Sequence, residues 1–470
     1  MGDLGEKLTI LAGAAKYDAS CASSGSEGSS AVQGKSSGRG NGMFGNKVPA
    51  GVCHSWTGDG RCVSLLKVLY SNVCRFDCAY CVNRASADIE RASFTPDELV
   101  RLTSEFYRRN YIEGLFLSSG IFADPDIVME KLVGVAKKLR KESGYNGYIH
   151  LKIIPGSGEK MIREAGLWAD RLSANIELPT EKSLQHLAPQ KSGKLIFGAM
   201  NEVQEAGIQA QEDRRHKLKS AHVYAPAGQS TQLIVGASGE DDRTIIGLSG
   251  ALYKKYSLRR VYYSAYMPVA ELPPHSAAYS ASSNINGLIT NNDLLTGFEE
   301  TPQDDSNFGY SPGISPKRLL LREHRLYQAD WLMRFYHFHS EEILSAEAPF
   351  LDPVLDPKTA WAMQHLNNYP VEIKRASYEE LLRVPGVGAH SARRIVEVRR
   401  SRHISFDGLG RLGVALKRAR YFITLGGDFF DRPDAKLPVS GTKRILDNPV
   451  RLRRILADGD DGLQLPLFDF

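Results

Sequence analysis

No apolar run in the 470 residues is long enough to cross a bilayer, which argues against a membrane-spanning helix. The amino terminus lacks the basic-then-apolar pattern of a secretory signal, and Glu6 stands where a myristoylation start such as Met1-Gly2-Asp3 wants Ser or Thr. A cytoplasmic protein is the expectation. Charge of one sign is also scarce: 59 Lys and Arg against 54 Asp and Glu leave a small basic surplus that permits a nucleic-acid partner without demanding one. No repeat of solenoid period is present. Cysteine is rare, six in all, and in a reducing compartment such thiols are ligands or buried groups rather than disulfides. Three of them fall in one stretch, Cys74-Arg-Phe-Asp-Cys78-Ala-Tyr-Cys81.

What is present is enough apolar residue, 42%, for more than one core in a chain of this length. Residues 22 to 51 are Ser/Gly-rich and read as a flexible loop, and a second polar, Pro-containing stretch runs from about 272 to 312. Between them short apolar runs alternate with longer amphipathic ones. Leu65–Leu69, Gly114–Leu117, Ile149–Ile154, Arg171–Ile176, Gln232–Val235 and Arg260–Ser264 read as strands. Thr95-Pro96-Asp97-Glu98 predicts a capped helix start, and Asp241-Asp242 begins another helical run to Tyr256. Six strand-helix units predict an α/β fold, a partial (βα)6 barrel with its chemistry at the carboxyl ends of the strands. From Lys317 to Phe338 the period becomes helical, and the end of the chain, from about Asp431, reads as extended. The expected division is an amino-terminal segment (1–52), the barrel (53–271), a flexible insert (272–312), a helical connector (313–345), an all-α domain (346–430) and a tail (431–470).

Three thiols on one short loop can converge on a small volume at little loop-closure cost, and three ligands on a cubane of four irons leave one iron open. Cys-x-x-x-Cys-x-x-Cys, with Tyr80 before the last cysteine and directly after a strand, resembles the signature of the radical S-adenosylmethionine (SAM) superfamily. A structural zinc loop fits this spacing poorly.

The resemblance implies a [4Fe-4S] cluster on Cys74, Cys78 and Cys81, SAM bound to the open iron, an external electron donor, and cleavage to a 5′-deoxyadenosyl radical. It also implies SAM contacts. Ser118, Ser119 and Gly120 resemble the segment that meets the methionine amino group, while Ser173, Asn175 and Glu177, taken as alternating on one strand face, resemble the ribose- or carboxylate-binding positions. Gln232, Ile234 and Gly236, ahead of Glu240, resemble the segment packed on adenine, with Tyr80 adding backbone contacts. Lys152 has two readings, a side chain that reaches the cavity or, the better fit, a snorkelling surface lysine. Cys21, Cys53 and Cys62, with His54, have two readings, unrelated buried thiols or ligands of an auxiliary cluster, and their spacings match no ligand pattern.

Near the carboxyl end, Ser377 and Glu380 form a capping box, and Pro385-Gly386-Val387-Gly388 precedes a second helix. This resembles a helix-hairpin-helix motif, in which glycines allow close approach and helix amides face a phosphate. Arg393 and Arg394, with Arg399 and Arg400, add charge. Leu412-Gly413-Val414 before Lys417, Arg418 and Arg420 reads as a weaker copy. The implied partner is duplex DNA gripped by its backbone without reading bases. The last residues, Gln464, Leu465, Leu467 and Phe468, resemble the peptide by which bacterial replication and repair proteins dock on the sliding clamp, although packing onto the chain's own domain explains them equally.

Together these features resemble the radical SAM proteins described as DNA modification or repair enzymes, nucleoid-associated in a bacterium. A transfer-RNA-modifying enzyme and a non-catalytic clamp-linked factor are the alternatives.

Overall fold

The computed structural model describes residues 4–15, 52–56, 62–218, 221–267, 316–401, 403–429 and 446–458. Its contacts divide the chain into two compact units: the first carries the main sheet, and the second comprises most of the chain from Leu321 onward together with residues 241–250.

In the first unit seven strands pair in sequence order. β1 (Val52–Trp56) is antiparallel to β2 (Cys62–Leu69), and from β2 onward every pairing is parallel: β3 (Gly114–Ser118), β4 (Tyr148–Lys152), β5 (Arg171–Ser173), β6 (Gln229–Val235) and β7 (Arg260–Ala265). The six parallel strands form a curled half-barrel sheet, as the alternating pattern implies, and β1 is an addition that the Ser/Gly-rich composition before it conceals. Helices intervene between successive parallel strands: α2 (Pro96–Arg108), α3 (Pro125–Lys141), α4 (Glu159–Trp168), α5 (Glu181–Leu187) with α6 (Gly193–Arg215), and α7 (Asp242–Tyr256), whose residues up to Gly250 count with the second unit. Ahead of them α1 (Leu4–Ala15) is anchored by Lys7 Nζ, 2.9 Å from Glu98 Oε2. The capping box expected at Thr95 is formed, with Thr95 Oγ1 accepting from the Glu98 amide.

Alternation sets the two sheet faces. Leu66, Leu115, Ile149 and Leu172 occupy one face, all fully buried, while Lys67, Phe116 and His150 share the other in register. The chain leaves the ladder after Ser173 instead of continuing to Ile176. Glu177 lies at φ +64° and rejoins as a single bridge to Leu233.

The second unit contains α8 (Pro316–Phe335) from Leu321 on, α9 (Ser340–Ile343), α10 (Pro357–Gln364), a 3-10 turn at Leu366–Asn368 and the pair β8 (Val371–Glu372) and β9 (Ile423–Thr424). Between those strands lie α11 (Tyr378–Arg383), α12 (Ala389–Val398), α13 (Phe406–Arg411) and α14 (Leu416–Ala419). Asp242 and Arg322 form a fully buried ion pair at 2.7 Å, and Asp242 Oδ2 also accepts the Leu351 amide. The extended tail is corrected: Pro449–Asp458 is a helix, α15. Asn448 Oδ1 accepts the Arg451 amide, Pro449 starts the first turn, and Leu452 and Leu456, four residues apart, are buried. The segment 272–312, Cys21 and the terminal Gln464, Leu465, Leu467 and Phe468 lie outside the described residues.

Candidate active site and a carboxyl-terminal turn

The cysteine loop follows β2 at the carboxyl end of the sheet. Its ends are sewn to neighbouring loops by backbone bonds: Tyr70 N to Ser118 O at 2.7 Å, Arg75 N to Ile121 O at 2.8 Å and Ala79 N to Leu187 O at 2.8 Å. Arg91 closes it. Its guanidinium donates to the carbonyls of Asn72 at 2.7 Å, Asn83 at 2.9 Å, Arg84 at 2.7 Å and Ala87 at 2.8 Å, so one side chain fixes both flanks of the loop. Gly120 is required by proximity, because a Cβ there would lie 2.4 Å from the Val73 carbonyl.

Cys74, Cys78 and Cys81 are free thiols, Cys78 buried and the other two half-buried. Burial pushes the Cys78 thiol up and the Cys81 thiol up to about 12, so thiolates here need a cation to hold them. Among the described residues no three Cys, His, Asp or Glu side chains are already gathered closely enough to hold a metal ion. The loop offers its sulfurs on one backbone segment without presetting them. The donor set, three thiols on one loop with the Phe76 amide 3.4 Å from Cys74 Sγ, fits an iron–sulfur cluster, and two residues past Cys81 the Asn83 side-chain oxygen is buried without a hydrogen-bond partner.

Around the loop lies a polar shell. Lys191, in the segment after α5, places Nζ 2.7 Å from Glu177 Oε1 and 5.7 Å from the centre of the Tyr80 ring. Burial alone would lower the Lys191 ammonium, but Glu177, with Tyr80 and Cys78, holds it well above the usual lysine range. Asn175 Nδ2 donates to Gln232 Oε1 at 3.4 Å, and Ser173 Oγ lies 2.9 Å from His150 Nε2, whose ring meets Phe116 edge-on at 4.4 Å. Ser118 ends β3 and is buried, whereas the Ser119 hydroxyl is turned to backbone, donating to Gly120 O at 2.8 Å. Ile234 is half-buried near the end of β6, and Gly236 follows at φ +82° with Leu319 against the space a Cβ would fill. Glu240 accepts Thr180 Oγ1 at 2.8 Å and the hydroxyls of Ser183 and Ser238.

The shared strand face expected for Ser173, Asn175 and Glu177 is not the geometry, since β5 stops at Ser173 and Glu177 adopts a left-handed backbone. All three are nonetheless buried. Lys191, Arg91 and His150 carry no motif. His150 is betrayed only by being polar within Ile149-His150-Leu151, where the neighbours are apolar.

In the second unit the Ser377 capping box is formed, and α11 runs into the turn Val384–Gly388, with Val387 N donating to Val384 O at 3.1 Å. Gly386 lies at φ +81°, and a Cβ there would meet the Ala415 carbonyl at 2.6 Å. Pro385 and Val387 complete the turn, Val387 almost wholly buried. The second turn has Gly413 at φ +91°, but Ala415 N donates to Gly386 O at 2.8 Å, so that amide braces the first turn. Arg393, Arg394 and Arg400 are exposed. Arg399 is spent on the Ile373 and Ala376 carbonyls, and Arg418 on Asp356 at 3.4 Å.

Residues 68–245 match the family described as the radical SAM superfamily. No curated protein matches the chain. Solved structures that resemble it include HydG, a maturase of the [FeFe]-hydrogenase (17% identity, TM-score 0.34, 44% of this chain and 43% of that one). The same maturase from Carboxydothermus hydrogenoformans gives 16% identity and TM-score 0.35 over 43% of this chain and 44% of that one. Methylornithine synthase, PylB, gives 14% identity and TM-score 0.34 over 44% of this chain and 55% of that one. The chain thus spans less than two thirds of the length of each.

Proposed function

We propose, starting from the match of residues 68–245 to the radical SAM superfamily, that this protein is an enzyme acting on DNA, modifying a base or repairing a lesion. The superfamily uses a [4Fe-4S] cluster and SAM, which together supply a 5′-deoxyadenosyl radical when bound. In this reading Cys74, Cys78 and Cys81 hold the cluster. Tyr80, Ser118, Ser119, Gly120, Ser173, Asn175, Glu177, Gln232, Ile234 and Gly236 surround SAM, and Lys191 and Arg91 keep the loop in place. Residues 53–271 form the catalytic domain and 346–430 a helix-hairpin-helix domain that grips duplex DNA.

The observation that carries the DNA assignment is the turn Val384–Gly388: a left-handed Gly386 leads into the amino end of α12, whose Arg393 and Arg394 are exposed. The first amides of a helix have no intrahelical acceptor and suit a phosphate oxygen. Such backbone contacts do not read sequence. Gln464, Leu465, Leu467 and Phe468 would tether the enzyme to a sliding clamp. Capture of the clamp by wild type and not by Phe468→Ala tests that tether.

Binding of the full chain to labelled duplex DNA, with transfer RNA as competitor, tests the substrate class. The reading expects affinity that falls steeply with salt and displacement by duplex. Preferential displacement by transfer RNA would move the assignment to an RNA-modifying enzyme, and no binding to either would remove it.

A further inference from the structure

Beneath the Val384–Gly388 turn lies a charged group that the phosphate-gripping reading leaves unused. Lys358, in the first turn of α10, is buried, and its Nζ donates to the Val387 carbonyl at 2.6 Å. The ammonium also lies 4.5 Å from the centre of the Tyr336 ring, and a Cβ on Gly388 would come 3.7 Å from the Tyr336 hydroxyl. The turn thus has a cation and an aromatic ring as its floor. No sequence motif marks Lys358; its neighbours Asp356 and Pro357 account for the helix start alone.

We propose that Lys358 is the positioning residue of this turn, its buried ammonium holding the Val387 carbonyl inward so that the amides opening α12 stay aligned for a phosphate. This rests on the duplex-binding reading. A hydrogen bond from a charged donor is about twice as strong as a neutral one, so the turn is held hardest while the lysine is protonated. The opening amides of α12 and the Val387 carbonyl belong to one short segment, so a shift of the carbonyl re-aims them.

The charge on Lys358 is poised to change. Burial lowers its pKa to about 7; Asp356 raises it and Arg383 lowers it further. The other charged groups here are already committed: Asp356 caps α10 and pairs with Arg418, and Arg383 pairs with Glu342 at 2.9 Å. A lysine whose folded pKa lies below its unfolded value is charged below about pH 7 and neutral above it, so the anchoring of Val387, and the duplex affinity, weaken as pH rises through neutrality. His365, stacked on Trp361, and His390, in the first turn of α12, also lie in this unit, and a control must separate their contribution.

The test is anisotropy of a labelled duplex with the full chain at constant ionic strength from pH 6 to 9, for wild type, Lys358→Met and Lys358→Arg. Wild type should lose affinity by roughly tenfold across the range, the scale of one charge-assisted hydrogen bond. Lys358→Arg should hold its low-pH affinity throughout, and Lys358→Met should be weak throughout. A circular-dichroism melt identifies any variant that fails to fold. Should Lys358→Met unfold, the arginine variant decides: a pH profile equal to wild type overturns the proposal, as does equal affinity of a folded Lys358→Met. Histidines would leave their pH dependence intact in both variants. Absence of duplex binding in wild type would instead defeat the duplex-binding reading itself.

Discussion

Lys191 Nζ sits 2.7 Å from Glu177 Oε1, both side chains largely buried, with the ammonium within cation–π range of Tyr80 beside Cys81. Both partners lie in the segment after β5, and the contact of Lys191 with Tyr80 joins that segment to the cysteine loop. A buried pair stripped of one partner leaves an uncompensated charge, at a cost of about 3–5 kcal/mol. Lys191→Met should therefore lower the melting temperature by several degrees and weaken SAM binding to the reconstituted protein, measured by equilibrium dialysis. Lys191→Arg should recover most of both.

Arg91 makes a separate prediction. Its four carbonyl acceptors flank the cysteine loop on both sides, and a lysine cannot span them with a single ammonium. Arg91→Lys should destabilise the protein by about 2–4 kcal/mol and reduce iron bound per chain after reconstitution. Unchanged iron content in a folded variant would show that the loop does not depend on this side chain.

Asp242 and Arg322 test the second unit. Asp242→Asn leaves the Arg322 guanidinium buried beside a neutral amide and weakens the bond to the Leu351 amide, with an expected loss of about 3–5 kcal/mol by urea unfolding. Replacing both by apolar residues of similar volume should cost much less than the single change.

Charge on α12 tests the proposed grip on duplex DNA. Arg393→Ala and Arg394→Ala together should weaken duplex binding uniformly across sequences and flatten the slope of log K against log salt by about 1–2. Arg399→Ala should instead act mainly on stability, because its guanidinium already serves the Ile373 and Ala376 carbonyls.

Much of this was legible from one sequence because its signals are local. A capping box at Thr95 or Ser377 needs only neighbours in the chain, the strands announce themselves by β-branched and leucine runs, and the cysteine spacing lies on one loop. What escaped depends on contacts between distant segments. Arg91 reaches back to Asn72, and Lys191 reaches Glu177 across α5; Lys358 meets Val387 across 29 residues. The departure of β5 after Ser173 was hidden because Ala174 and Ile176 keep the strand's apolar alternation while Glu177 leaves its backbone region. The helix at Pro449–Asp458 was hidden for the opposite reason: its five flanking and internal Asp and Arg residues mask two buried leucines.

The central claim, a radical enzyme whose cluster loop is Cys74–Cys81, is tested most directly by reductive cleavage of SAM. Anaerobically reconstituted full-length protein, given SAM and a strong one-electron reductant, should carry about four irons per chain and release 5′-deoxyadenosine. Cys81→Ala should lose both. A wild-type chain with its full iron and sulfide complement that yields no 5′-deoxyadenosine, with or without duplex DNA, would contradict the account.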